Sequence, residues 1–267
     1  MTPKALILTG YGINCDIETQ YAFRLAGAEA ERVHLTDLIN GKRSLSEFQI
    51  MAFPGGFSFG DDIASGKVLA NMVRYNIGYR IRQFIDDGNL IIGICNGFQA
   101  MVKMGLLPAF DCNYEKQDVT LTFNDSGRFE DRWVHLEGNA DSKCVFTKGI
   151  EKIYLPVRHG EGKFVVKDDS VLERLKSGSH IAFKYVDKNG NPAGYPSNPN
   201  GSVDNIAGIC DETGRVFGMM PHPEAFLHRT NHPAWTREDL PEEGAGAAIF
   251  RNAVEYVNEN KYNPAHL

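Results

Sequence analysis

The alternation of apolar and polar positions divides the chain into two halves of different character. In the first half, short apolar runs alternate with longer segments of helical spacing. Ala5-Leu6-Ile7-Leu8-Thr9, within 4–10, predicts a strand, and Tyr11-Gly12-Ile13-Asn14 a loop. Asn14 or Asp16 is placed to cap a helix carrying Tyr21, Phe23, Leu25 and Ala26, which Gly27 can end. Glu31 to Leu35 predicts a second strand, and Phe48 to Phe53 a third that runs into Pro54-Gly55-Gly56. From about Lys67 to Asp87, Leu69, Met72, Val73, Ile77, Ile81, Phe84 and Ile85 recur on one helical face, and Gly88 can stop that helix. Leu90-Ile91-Ile92-Gly93-Ile94 then reads as a strand buried on both faces. Phe98, Met101, Val102 and Leu106 follow at helical spacing. Strands alternating with helices predict a parallel sheet flanked by helices.

The second half is richer in strands separated by turns. Val119 to Phe123, Arg132 to Leu136, Ile153 to Val157 and Ile181 to Val186 are strand candidates. Ile206 to Cys210 and Val216 to Met220 flank Asp211-Glu212-Thr213-Gly214, a hairpin signal. Residues 226–243 are charged and proline-bearing, the pattern of a surface excursion. Gly246 to Val257 closes the chain as a helix. The expected architecture is α/β, one domain over 1–267, with a mostly parallel sheet and additional antiparallel strands in the second half.

Composition narrows the class. With 42% hydrophobic and 23% charged residues this is an ordinary globular chain, and a net charge of −6 speaks against a nucleic-acid or anionic-membrane surface. No apolar run approaches the roughly 18 residues that span a bilayer. The amino terminus runs straight into a strand with no room for a signal peptide. The five cysteines, Cys15, Cys95, Cys112, Cys144 and Cys210, are scattered and contain no C-x-x-C pair. That excludes a disulfide framework and the usual zinc knuckles and points to a reducing cytoplasm.

The chemistry concentrates where the apolar strand meets its helix. Gly93-Ile94-Cys95-Asn96-Gly97 has the form of a Gly-x-nucleophile-x-Gly elbow with Cys as the nucleophile. A Cβ at either glycine would crowd the neighbouring backbone. The sulfur then sits at a helix start, where unpaired N–H groups favour negative charge. A lone cysteine after such a strand is ordinarily a core residue, so the case requires a base. Pro221-His222-Pro223-Glu224 offers one: in an extended segment, residues two apart project to the same side. Glu224 can therefore orient one imidazole nitrogen while the other faces a thiol. The alternative is a turn histidine beside a solvated carboxylate. His222, His228 and His232 have no ligand partners at a recognised metal spacing, so no metal is expected. The N–H of Asn96 and the backbone of Pro54-Gly55-Gly56-Phe57 are candidate donors for an oxyanion hole.

These three motifs, together with Gln99, resemble the class I (triad) glutamine amidotransferases, a flavodoxin-like α/β class. Longer strings narrow the resemblance: Pro54 through Asp62, Ser126-Gly127-Arg128-Phe129-Glu130, His159-Gly160-Glu161-Gly162, and Asn198-Pro199-Asn200-Gly201-Ser202 with Ile206-Ala207-Gly208. They are similar to glutaminase components serving de novo purine biosynthesis, in the step that converts formylglycinamide ribonucleotide to formylglycinamidine ribonucleotide. The resemblance implies a Cys95–His222–Glu224 triad that hydrolyses glutamine to glutamate and ammonia, with Gly56 and Asn96 as oxyanion donors. It also implies that Gly55, Phe57 and Gln99 help hold glutamine, and that His159 and Glu161 line the pocket or a partner contact. One departure is Ala225, where the family carries Arg after the Glu. No cofactor is implied in this chain, which lacks a G-x-x-x-x-G-K-[ST] loop. ATP and Mg are expected on a separate synthetase subunit that receives the ammonia, with a small accessory subunit in the same complex. Phe57 to Lys67 and residues 226–243 are the candidate contact surfaces. Two other readings share parts of this pattern. A stand-alone cysteine hydrolase on a similar sheet would use the elbow without Pro-Gly-Gly or Gln99. A non-catalytic subunit would have no need of the intact triad.

Overall fold

The computed structural model describes residues 2–261. The chain opens with β1 (Lys4–Thr9), α1 (Asp16–Leu25), β2 (Glu29–His34), a short α2 (Leu35–Ile39) and β3 (Ile50–Phe53). The long α3 (Lys67–Asp86), β4 (Leu90–Ile94) and α4 (Asn96–Met104) follow. The second half contributes β5 (Val119–Thr122), β6 (Glu130–Gly138), β7 (Lys152–His159), β8 (Lys163–Val166), α5 (Asp169–Ser177), β9 (Ile181–Val186), β10 (Ile206–Cys210), β11 (Val216–Met219) and α6 (Ala247–Lys261).

A nine-stranded sheet in the order β2-β1-β3-β4-β11-β10-β9-β6-β7 organises these elements. Its first five strands run parallel. The other four join antiparallel to their neighbours. The alternating half of the chain thus forms the parallel region, and the strand-rich half extends it, as the hydrophobic pattern predicts. From β1 the chain crosses to β2 on one side, and from β3 to β4 in the opposite direction. Right-handed crossovers therefore put α1 and α3 on opposite faces. Consistently, α1 packs against α6, while α3 packs against α2 and α4. All five residues of β4 are buried, and so is every residue of α4. The centre of the sheet is covered on both faces.

Several segments depart from the sequence reading. The short α2, β8 and α5 were not anticipated, and Leu35, read as the end of a strand, begins α2. β8 is four residues long with only Phe164 fully buried, too short for a periodic signal. α5 does carry one, because Asp168 caps it by accepting from the Val171 N–H and Val171 and Leu175 are buried at a spacing of four. Residues 226–243 are not wholly a surface excursion: Phe226, Leu227 and His232 are buried, and Phe226 and His232 pack on the Trp133 ring. At the head of α1 the N-cap is Cys15, with no side-chain cap bond, and neither Asn14 nor Asp16 takes that position.

The register sets the functional end of the sheet. Phe53 lies beside Gly93, and Gly93 beside Gly218. The chain leaving β3, β4 and β11 therefore emerges at one level, side by side. The turn from β4 into α4 depends on the absence of side chains. A Cβ on Gly97 would stand 1.9 Å from the Phe53 carbonyl oxygen, and one on Gly93 would stand 2.4 Å from the Met101 sulfur. The first obstacle is backbone of the central sheet and cannot swing aside. Gly97→Ala is expected to cost about 1–3 kcal/mol of stability through overpacking, read as a lowered urea midpoint. An unchanged midpoint would show that the elbow has slack that this packing does not provide.

Candidate active site

The end of β4 delivers Cys95 in a conformation that side-chain-bearing residues avoid, with φ 50° and ψ −107°. Such geometry costs on the order of 1–3 kcal/mol and persists only where its surroundings over-determine it. Here the Cys95 N–H donates to the Met219 carbonyl at 2.8 Å, and the Cys95 carbonyl accepts from Gln99 N–H at 3.0 Å. One bond belongs to β11, the other to the first turn of α4. The thiol donates to the Arg158 carbonyl at 3.6 Å.

His222 follows β11, the strand next to β4. Its N–H donates to the Pro156 carbonyl of β7 at 2.9 Å. Its Nδ1 lies 2.6 Å from Glu224 Oε1, and both side chains are buried. The carboxylate can only accept, so Nδ1 carries the proton and Nε2 is left for other work. Nε2 is buried with no hydrogen-bond partner among the described residues. Burial pulls the His222 pKa down, but the Glu224 charge, followed by Cys95, holds it well above the ordinary histidine value. Imidazole and carboxylate thus form a bonded pair at the end of the strand next to the one that leads into Cys95.

Gly55 and Gly56 extend β3 toward the same point. Ile13 and Gly56 face each other as an antiparallel pair. The bonds of that pair run from Phe57 N–H to the Gly12 carbonyl at 2.8 Å and from Asn14 N–H to the Gly55 carbonyl at 3.3 Å. The two central residues of such a pair exchange no bonds, and their N–H groups point away from each other. The Gly56 N–H therefore turns from the loop after β1 toward the side of β3 on which β4 lies. A φ of +146° at Gly56 reserves this turn for glycine. The Asn96 N–H, first in α4, has no acceptor within the helix.

The remaining candidate residues do different things. Asn96 Oδ1 accepts from Ser58 N–H at 3.1 Å, and its Nδ2 donates to Asp61 and Gln99, both at 3.0 Å. Gln99 Nε2 donates to the Glu161 carbonyl at 2.6 Å, so both ends of its amide are already engaged. The Glu161 carboxylate accepts from Ser65 N–H. Gln99 and Glu161 tie the loop after β3 to the turn after β7. Phe57 is 45% exposed and its ring faces that of Phe129. His159 is buried, with Nδ1 3.2 Å from Asn124 Oδ1 and Nε2 unpartnered. Burial, reinforced by His222, pushes its pKa down to about 3.

Two residues at the site escape a sequence reading. Cys15 lies so that its sulfur, a ring nitrogen of His222 and an oxygen of Glu224 are all within 4.8 Å of one another. A Cβ on Gly55 would meet both His222 Cε1, at 2.8 Å, and the Cys15 sulfur, at 3.3 Å. Gly55 is therefore needed for the imidazole and this second thiol to pack over the backbone. Arg158 approaches Glu224 from β7, with Nη2 at 3.9 Å from Oε1. The signal that points to Cys15 is its place just after a parallel strand, at the edge where α/β sheets bind ligands. The hollows beside Lys143–Ile150 (≈ 510 Å³) and beside Tyr75 and Tyr79 (≈ 580 Å³) lie elsewhere and include neither Cys95 nor His222.

A parallel sheet carrying a thiol on an elbow, beside an imidazole–carboxylate pair and two backbone donors, is the architecture of a glutamine amidotransferase. Residues 2–257 match the CobB/CobQ-like glutamine amidotransferase domain, and the chain belongs to that family, in the branch of the PurQ subunits of phosphoribosylformylglycinamidine synthase. It is 52% identical over 257 residues to the PurQ subunit of that synthase from Dehalococcoides mccartyi, covering 96% of this chain and 98% of the relative. It is 45% identical over 271 residues to the PurQ subunit from Methanococcus maripaludis strain S2, covering 97% and 99%. Among solved structures it is similar to a chain of PurLQS from Thermotoga maritima, with 31% identity and a TM-score of 0.72 over 96% of this chain and 100% of that one. The glutaminase domain of Trypanosoma brucei CTPS shares the fold alone, at 13% identity and a TM-score of 0.53 over 96% and 94%.

The buried neutral His159 has a consequence for stability. Its folded pKa, about 3, lies below the ordinary value of 6.5. The unfolded chain therefore binds a proton that the folded one refuses. Stability from this group is present above pH 6.5 and is lost progressively as pH falls toward 3, with a slope approaching about 1.4 kcal/mol per pH unit. Urea unfolding of wild type and His159→Gln between pH 7 and pH 4 should give a steeper acid decline for wild type. Parallel curves would contradict the assignment.

Proposed function

We propose that Cys95, His222 and Glu224 hydrolyse the side-chain amide of glutamine and that the ammonia released passes to a synthetase partner. The Cys95 thiolate adds to the amide carbon. The oxygen of the tetrahedral intermediate takes the charge and lies between the Gly56 and Asn96 N–H groups, each such donor being worth about 3–4 kcal/mol in the transition state. His222 Nε2–H gives its proton to the nitrogen, ammonia leaves, and a γ-glutamyl thioester remains. The neutral imidazole then takes a proton from water, whose oxygen attacks the thioester; glutamate leaves and the thiol is restored. Glu224 keeps Nδ1 protonated throughout, so that Nε2 does the proton traffic. The observation that carries this reading is the His222–Glu224 bond of 2.6 Å, made just past the strand parallel and adjacent to the one that leads into Cys95.

Ammonia is nucleophilic only when unprotonated, and bulk water protonates most of it. Direct transfer to a partner avoids that loss. The similar Thermotoga maritima chain is part of a PurLQS assembly, which supports a synthetase and a small accessory subunit as partners here. ATP and Mg belong, in this reading, to the synthetase that activates formylglycinamide ribonucleotide. The loop after β3 offers a contact surface, with Ile63 86% and Phe57 45% exposed. In 226–243 the exposed stretch around Trp235 remains available, while Phe226 and Leu227 are committed to the core. No helix among the described residues is long and apolar enough to cross a membrane, which is compatible with the expected cytoplasmic setting.

Cys95→Ser, assayed with the synthetase partner, is expected to lower glutamine-dependent turnover by at least about 10³-fold, while supplied ammonium salts still drive the synthetase reaction. Glutamate release from glutamine by Cys95→Ser at a wild-type rate would overturn the assignment. Turnover of esters or peptides with none of glutamine would point to a stand-alone hydrolase.

A further inference from the structure

Arg158, near the carboxyl end of β7, meets the site twice. Its carbonyl accepts the Cys95 thiol at 3.6 Å, which keeps β7 in register with the elbow. Its guanidinium Nη2 lies 3.9 Å from Glu224 Oε1, the same oxygen that accepts from His222 Nδ1 at 2.6 Å. The Glu224 side chain is fully buried, whereas that of Arg158 is 39% exposed. Glu224 Oε2 and Arg158 Nε are both buried with no hydrogen-bond partner among the described residues. An ionised carboxylate withdrawn from water needs opposite charge close by. Ala225, its chain neighbour, supplies none. Among the described residues Arg158 is the fixed cation beside Glu224, the other partner being His222 itself.

We propose that Arg158 is a positioning residue of the triad: its guanidinium, reaching over from β7, holds the Glu224 carboxylate in place to orient His222. The proposal rests on the reading of Cys95, His222 and Glu224 as the triad. Glu224 without this cation would be a buried anion with the imidazole as its sole counter-charge among the described residues, free to turn either oxygen toward Nδ1. With it, one oxygen is held between guanidinium and imidazole. The guanidinium also acts electrostatically. A positive charge near a thiolate–imidazolium pair stabilises the thiolate and disfavours the imidazolium. Removing it therefore raises the pKa of His222. The other titratable groups facing the pair are Glu224, Cys15 at the head of α1, His159 on β7 and Tyr185 on β9. None of these is a fixed cation at neutral pH, so none replaces Arg158.

The test compares Arg158→Gln and Arg158→Lys in the complex with the synthetase. For Arg158→Gln, kcat for glutamine hydrolysis should fall on the order of tenfold with KM for glutamine within about twofold. The limb of the pH profile of kcat/KM set by His222 should move to higher pH. Arg158→Lys, which keeps the charge, should recover most of the loss. A second readout is the titration of the His222 ring followed by ¹⁵N NMR; its midpoint should rise in Arg158→Gln and return toward wild type in Arg158→Lys. Wild-type kcat and pH profiles in Arg158→Gln, or equal losses in both variants, would overturn the proposal. An active Cys95→Ser would instead overturn the triad reading itself, so the two failures are distinguishable.

Discussion

A hydrogen bond of 2.6 Å between two buried side chains, from His222 Nδ1 to Glu224, governs the chemistry of this site. Without it, burial would leave the imidazole neutral and free to choose its tautomer. With it, the proton is fixed on Nδ1, positive charge on the ring is stabilised, and Nε2 is left without a partner among the described residues. The two residues are held at this distance by local covalent geometry, two positions apart, and by the His222 N–H bond to Pro156 of β7. The dyad is therefore anchored to the sheet on both sides, by β11 in sequence and by β7 in space.

The fold brings the thiol to this dyad by strand order. β3, β4 and β11 are adjacent and parallel, so three sequence-distant segments leave the sheet at one edge. β3 contributes glycine backbone, β4 the strained cysteine and β11 the imidazole. The antiparallel strands beyond β11 add β7 as a further wall. It supplies Arg158 and His159, and its turn binds Gln99 through the Glu161 carbonyl. That turn is secured by a buried polar network: Asn124 accepts from Gly162 N–H, Ser202 donates to the Gly162 carbonyl, and Asn200 donates to Tyr185. The strings His159-Gly-Glu-Gly and Asn198-Pro-Asn-Gly-Ser, far apart in sequence, thus belong to one structure behind the site.

What could be read in advance follows the range of the interactions. The elbow was legible because its glycines are local, and each is required by a close approach now visible at Phe53 and Met101. The His222–Glu224 pair was legible because a spacing of two in an extended segment places both on one side. The parallel and antiparallel halves were legible from hydrophobic periodicity. Cys15 and Arg158 were not, because their roles arise only when β1 and β7 are brought to the ends of β4 and β11. Gln99 was read as holding glutamine and His159 as lining the pocket or a partner contact; the bonds that each makes within the protein were not legible, because motif spacing does not carry them. Phe226 and Leu227 were hidden by the polar sequence around them, although the Trp133 ring gives Phe226 a place to pack.

The central claim concerns the protonation state of one ring. It is tested most directly by ¹⁵N NMR of histidine-labelled protein, with His222 assigned by comparison with a His222→Gln sample. The account predicts a His222 Nδ1 that stays protonated across neutral pH and a ring that titrates well above 6.5. A ring protonated on Nε2 alone at neutral pH, or one that titrates at the ordinary histidine value, would contradict it.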